Sequence, residues 1–174
     1  MISWSKVTLT SALAFGISAC SSQPPLKAVD YVDIERFMGD WYVIANIPTF
    51  IEKGAFNAVE NYRLDDDGTI PTTFTFRDGS FDGKLKTYHP KGFVISESNA
   101  VWGMQFIWPI KADYRIIYLD EGYSVTVIGR NKRDYVWIMS REPQMPEQEY
   151  NAILKMLTSV GYDPAEIQKV PQQW

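Results

Sequence analysis

The sequence predicts an all-β domain: an eight-stranded antiparallel up-and-down barrel, with a short helix before it and one α-helix packed outside after it. Three observations carry this. Eight segments with strand-like alternation follow one another from Trp41 to Arg141, separated by short turn signals. A helix-to-strand corner, Phe37-Met38-Gly39-Asp40-Trp41-Tyr42-Val43-Ile44-Ala45, opens the series. After Pro146 the apolar period changes from two to that of a helix.

Residues 1–19 stand outside this domain. Lys6, their only charge, precedes the apolar run Val7–Ile17. That run is too short to span a bilayer and fits an export signal. It ends in Ile17-Ser18-Ala19-Cys20, a lipoprotein-type cleavage box with Cys20 as the first mature residue. Cys20 is the only cysteine, so no intrachain disulfide forms, and thioether lipidation accounts for a lone exported thiol. Several acyl chains on one residue anchor far more firmly than a single chain. Ser21 after the Cys resembles the signature of export to the outer membrane in enteric-type bacteria, with the anchored chain on its periplasmic face. Residues 20–32 then form a lipidated leash that starts polar and ends apolar.

The barrel domain occupies 33–174. Asp33 can cap the helical turn 34–38, and Gly39 supplies the backbone angle that stops it. From Trp41 the residues alternate, with Trp41, Val43, Ala45 and Ile47 on one face. A tryptophan at the start of a strand can plug one end of a small barrel, and Arg141 can lie over its indole as a cation–π partner. The predicted strands run 41–48, 56–65, 70–78, 82–89, 100–108, 112–120, 122–130 and 134–141. Asp66-Asp67-Gly68, Asp78-Gly79-Ser80, Asn99, Pro109, Glu121-Gly122 and Asn131-Lys132 mark the turns between them. In the helix, Glu147 and Glu149 occupy the first turn, where the dipole favours acids. Tyr150, Ile153, Leu154, Leu157 and Val160 form its apolar stripe, and Gly161 fits the stop. The outside of the barrel is the only large surface on which that stripe can rest.

Gly39-Asp40-Trp41-Tyr42 after an apolar turn, Ile47-Pro48-Thr49, and Tyr135-Val136-Trp137-Ile138-Met139-Ser140-Arg141 followed by one helix resemble the lipocalin family. The likeness spans about residues 30–170, and it is greatest to bacterial outer-membrane lipoprotein lipocalins and their apolipoprotein D-like relatives. One departure stands at Leu119-Asp120-Glu121, where the family carries Thr-Asp-Tyr and only the Asp is kept. The resemblance implies structural roles for Gly39, Trp41 and Arg141 at the closed end of the barrel.

With Trp41 inward, alternation and the family register assign the rest of the interior. The second strand sends in Phe56, Ala58, Glu60, Tyr62 and Leu64. The fifth contributes Trp102, Met104 and Phe106, and the sixth Tyr114, Ile116 and Tyr118. The eighth contributes Tyr135, Trp137 and Met139 above Arg141. Small Ala45, Ala58, Ser124 and Thr126 leave room near one wall. A cup lined by aromatics and adaptable methionines, with few charges, is an apolar ligand site. Glu60 has two readings: it bonds to a tyrosine hydroxyl such as that of Tyr62 or Tyr114, or it orients a polar group of the ligand. The open-end loops hold Lys53, Arg77, Lys84, Lys111, Arg130, Lys132 and Arg133 against Glu52, Asp78, Asp82, Asp113 and Asp134, a mildly basic mouth.

Composition excludes several classes. The formal charge of −4, with no basic stripe, argues against nucleic acid as a partner. The single histidine, His89, supports neither a two-histidine metal site nor a haem pair. No nucleophile-elbow or phosphate-cradling glycine motif is present, so neither an enzyme nor a cofactor is called for. The resemblance implies a protein that stores or carries an amphipathic lipid, a fatty acid such as palmitate or a lysophospholipid, during envelope maintenance or stress. The rival reading is a filled barrel acting through self-association, as a homodimer, or through a partner.

Overall fold

The structure, a computed structural model, describes residues 23–174. The predicted signal segment and Cys20 lie outside the described residues. The corner comes first. Helix α1, Ile34–Phe37, is capped by Asp33, whose Oδ1 accepts from Arg36 N at 3.3 Å. Gly39, at φ +95°, turns the chain into strand β1 (Gly39–Ile47) in a conformation an L side chain rarely adopts.

The ladder continues through β2 (Ala55–Tyr62), β3 (Thr69–Asp78), β4 (Leu85–Tyr88), β5 (Lys91–Val94), β6 (Val101–Ile107), β7 (Ile110–Leu119), β8 (Val125–Gly129) and β9 (Val136–Ser140). Each pairs antiparallel with its neighbour, and β9 returns to β1, which closes the barrel. β4 and β5 both pair with β3, so together they make one strand, the fourth of eight, broken at His89-Pro90. Proline has no N–H for the ladder, which explains the break. Residues 91–94, outside every predicted strand, resume that strand beyond it.

Four bulges reset the alternation, one of them between Met104 and Ile107 in the β6–β7 ladder. The others lie between Val43 and Ala45, between Phe56 and Val59, and between Ile116 and Tyr118. An extra residue moves everything beyond it to the opposite face. Ala45 and Ile47, expected inside, therefore pair with Ile138 and Val136 and pack outside, while Asn46 shares the inner face with Trp137. Ser124, expected on the inner wall, is exposed in the β7–β8 turn and donates to Asp120 Oδ2 at 2.9 Å. Thr126 is buried, opposite Met139.

Helix α2 (Glu147–Ser159) buries Tyr150, Ile153 and Leu157 against the outer face of β1, β8 and β9, on Ile44, Ala45, Val127 and Ile138. Three such side chains contribute on the order of 5 kcal/mol by area. Gly161, at φ +98°, ends the helix. A 3₁₀ turn at Pro164–Glu166 follows, then β10 (Gln168–Lys169), which pairs with Asn46 and Ala45 of β1.

Both ends of the described chain are fastened to the barrel. Of the expected leash, residues 24–32 run down the wall instead of hanging free. Leu26 N donates to Asn131 Oδ1 at 2.8 Å, Val29 N to Ile116 O at 2.9 Å and Val32 N to Ser98 O at 2.8 Å. Leu26 reaches so close to Gly129 that a Cβ there would lie 2.8 Å from its Cδ2. The C-terminal tail fills the gap that two bulges open between β1 and β2. Gln172 Nε2 donates to Val43 O at 2.8 Å and to Ala58 O at 3.1 Å. Asn57, at φ +48° in the β2 bulge, donates its N–H to Pro171 O at 2.9 Å.

Candidate ligand-binding site

The closed half of the barrel is solid. Phe37 stands at its centre, with ring centroids 5.1 Å from Trp41, 5.7 Å from Tyr62 and 5.4 Å from Trp102. Trp102 stacks on Tyr114 at 5.0 Å. Arg141 seals this end: its guanidinium lies 3.8 Å from the Trp41 ring centroid. Its N–H groups donate to the carbonyls of Arg36, Phe37, Met38 and Asp40 at 2.6–3.1 Å. Those of Arg36 and Phe37 are carbonyls that α1 leaves without an intrahelical partner at its end. Asp120, the retained residue of the departing motif, organises the β7–β8 turn by accepting from the N–H groups of Gly122, Ser124 and Val125 at 2.6–3.0 Å. Burial works to raise its carboxyl, but those donors outweigh it and hold the carboxyl below the usual range.

Above the rings lies a cavity of about 100 Å³, lined by Thr49, Glu60, Pro90, Met104, Phe106, Ala112, Asp113, Tyr114, Arg130, Tyr135 and Trp137. An apolar cavity of about 150 Å³ holds benzene. This one, at about 100 Å³, is smaller than that.

Glu60 forms part of the floor. Its cross-strand neighbours are Trp41 on β1 and Phe74 on β3, both apolar. The Tyr62 hydroxyl donates to its Oε2, and that hydroxyl lies 2.7 Å from the hydroxyl of Tyr114. Burial raises the carboxyl, the Tyr62 bond lowers it, and the charge of Glu52 raises it again, leaving its pKa at about 7. Burial likewise pushes the Tyr62 and Tyr114 hydroxyls well above the ordinary phenol range. Glu60 thus presents to a mostly apolar space a carboxyl that burial makes easier to protonate than an exposed one.

The mouth is built from the loops. Glu52, buried in the β1–β2 loop, accepts from Thr49 N at 2.9 Å and from Trp137 Nε1 at 2.7 Å. Arg130 Nη1 reaches Asp134 Oδ2 at 3.3 Å, which leaves Arg130 Nε and Asp134 Oδ1 buried without partners. Phe50, Ile107, Trp108 and Ile110 are exposed, Trp108 to 83%.

Of the thirteen residues expected to touch a ligand, the structure brings Glu60, Met104, Phe106, Tyr114, Tyr135 and Trp137 to the cavity. Ala58, Tyr62, Trp102, Ile116 and Met139 point inward but belong to the packed core. Phe56 and Tyr118 are corrections. The bulge turns Phe56 onto the outer face with Arg77, where its ring meets Phe81 at 4.9 Å. Tyr118 pairs with Val127 and joins the cluster under α2. Thr49, Pro90 and Ala112 were missed. Ala112 is reached by carrying the Tyr114–Ile116 alternation back two residues. Pro90 is signalled by its break in the fourth strand.

Among the described residues no group of three or more His, Cys, Asp or Glu is placed to hold a metal, and no helix is long and apolar enough to cross a membrane.

Residues 32–172 match the model of a lipocalin-like domain. Temperature-induced lipocalin-1 of Arabidopsis thaliana is 32% identical over 84% of this chain and 83% of its own length. The outer membrane lipoprotein Blc of Escherichia coli K12 is 30% identical over 91% of this chain and 92% of its own. Lobster apocrustacyanin A1 superposes with a TM-score of 0.65 at 14% identity, over 82% of this chain and 81% of that one, a likeness of fold.

Proposed function

Because the chain belongs to the lipocalin family, we propose that it is a binding protein that carries an amphipathic lipid, a fatty acid or lysophospholipid, from an acyl anchor on Cys20 at the periplasmic face of the outer membrane. The single observation that carries this reading is the apolar cavity between Met104, Phe106, Tyr114 and Trp137, reached from the loop end of the barrel. The end of an acyl chain enters it, and each buried CH₂ contributes roughly 0.8 kcal/mol. The head group stays among the loops, near Arg130. The name of the Escherichia coli relative supports the anchor and the membrane.

Native mass spectrometry of the freshly purified chain tests this. The expected result is a co-purifying lipid mass that exchanges with added palmitate or palmitoyl lysophospholipid. A clean unliganded mass, with Trp fluorescence unmoved on titration, overturns it. A second reading, a filled barrel acting through self-association or a partner, is favoured by the solid closed half around Phe37 and Trp102. It predicts that clean mass together with a stable oligomer or complex.

A further inference from the structure

The segment that leads back to Cys20 is tied down at the open end of the barrel. Arg133 Nη2 donates to Pro24 O at 2.9 Å, and Leu26 N to Asn131 Oδ1 at 2.8 Å. Asn131 and Arg133 belong to the β8–β9 turn, between the cavity residues Arg130 and Tyr135. Cys20 precedes Gln23 by three positions, which span at most about 10 Å of chain. A group attached to Cys20 therefore has no more than that length of chain between it and Gln23.

The same end bears the exposed apolar side chains. The β6–β7 hairpin presents Ile107, Trp108 and Ile110 at 67–83% exposure, and the β1–β2 loop presents Phe50 at 80%. In the closed sheet β7 adjoins β8 and β9 adjoins β1, so these two loops flank the β8–β9 turn on either side. Aromatic and aliphatic side chains of this kind favour the interface between water and hydrocarbon. Lys53 and Lys132 are exposed in the loops of the same end, as suits anionic lipid head groups.

We infer that the open end is a membrane-docking surface: the tether draws the mouth onto the bilayer that holds the anchor, and Trp108, Ile107, Ile110 and Phe50 enter the interface. The bilayer is favoured as occupant because the short reach from Gln23 to the anchor, with Pro24 and Leu26 tied to the β8–β9 turn, keeps this end rather than the closed one beside the bilayer that holds the anchor. The mouth then faces the lipid from which the cavity is filled. This rests on the acyl anchor of the preceding reading.

The test uses the full acylated chain in vesicles of phosphatidylethanolamine and phosphatidylglycerol, with brominated phospholipid as a fluorescence quencher. A quenched component is expected in the wild type, lost in Trp108→Phe and kept in Trp174→Phe. The unacylated Cys20→Ser chain is expected to partition into the same vesicles, and Ile107→Ser with Trp108→Ser to weaken that partition about tenfold or more. An acylated, vesicle-bound chain whose Trp108 stays unquenched overturns the inference and leaves the anchor standing. A concentration-dependent dimer that Trp108→Phe abolishes, with no quenching, also overturns it and assigns the rim to a second copy. A Cys20 without acyl chains in its native host overturns both readings.

Discussion

Trp137 donates its indole N–H to Glu52 Oε1 at 2.7 Å, so one wall of the cavity holds the β1–β2 loop in place. Glu52 is buried, and its other bonds are to Thr49 in the same loop. Trp137→Phe keeps the ring but removes the donor. The expected cost is roughly 1.5–3 kcal/mol, the range for a bond to a charged group. Urea denaturation reads the loss, and amide exchange is expected to quicken at residues 52–55.

Arg141 offers a sharper cut. Arg141→Met deletes the guanidinium donors to the carbonyls of Arg36, Phe37, Met38 and Asp40 and the cation over Trp41, leaving Phe37 O only the Trp41 indole N–H. We expect a loss of roughly 2–4 kcal/mol. Arg141→Lys, with one point charge in place of a planar fork, falls between. Equal stability of Arg141→Met and wild type in denaturant would show the closed end to be held by the rings alone.

Glu60 makes stability depend on pH. Its folded value of about 7 stands above the ordinary glutamate value of 4.5, so the folded state holds the proton more tightly than the unfolded one. Stability therefore falls as pH rises from about 4.5 through 7 and levels off above, by about 3 kcal/mol in all. Glu60→Gln removes this component. Denaturation midpoints of the two proteins are expected to agree near pH 5, and Glu60→Gln to be the more stable near pH 8.

Gln172 bridges two strands that have parted, and Gln172→Ala leaves Val43 O and Ala58 O without that donor. The expected cost is about 1–3 kcal/mol. Limited proteolysis is expected to release the tail beyond Lys169 faster than in the wild type.

Much of the fold could be read from residue order. Turn residues marked the hairpins, the period change marked α2, and Gly39-Asp40-Trp41 marked the corner, because each has a local physical cause. The site was harder, since a bulge leaves almost no local trace. The extra residues, Ile44 and Ile117, look like ordinary apolar strand positions, yet they send Ile47 and Tyr118 outward. Asn57 gave the one hint, as asparagine tolerates the positive φ that its bulge needs. Cavity depth was not legible either. Whether Trp102 lines a hollow or fills it depends on Phe37, which enters from the preceding helix rather than from a strand.

The stack of rings around Phe37 has a consequence for how such a protein can diverge. Durability resides in one tier and selectivity in the other. Residues such as Met104, Phe106 and Ala112 can be exchanged to suit a different cargo while the aromatic foundation keeps the scaffold upright.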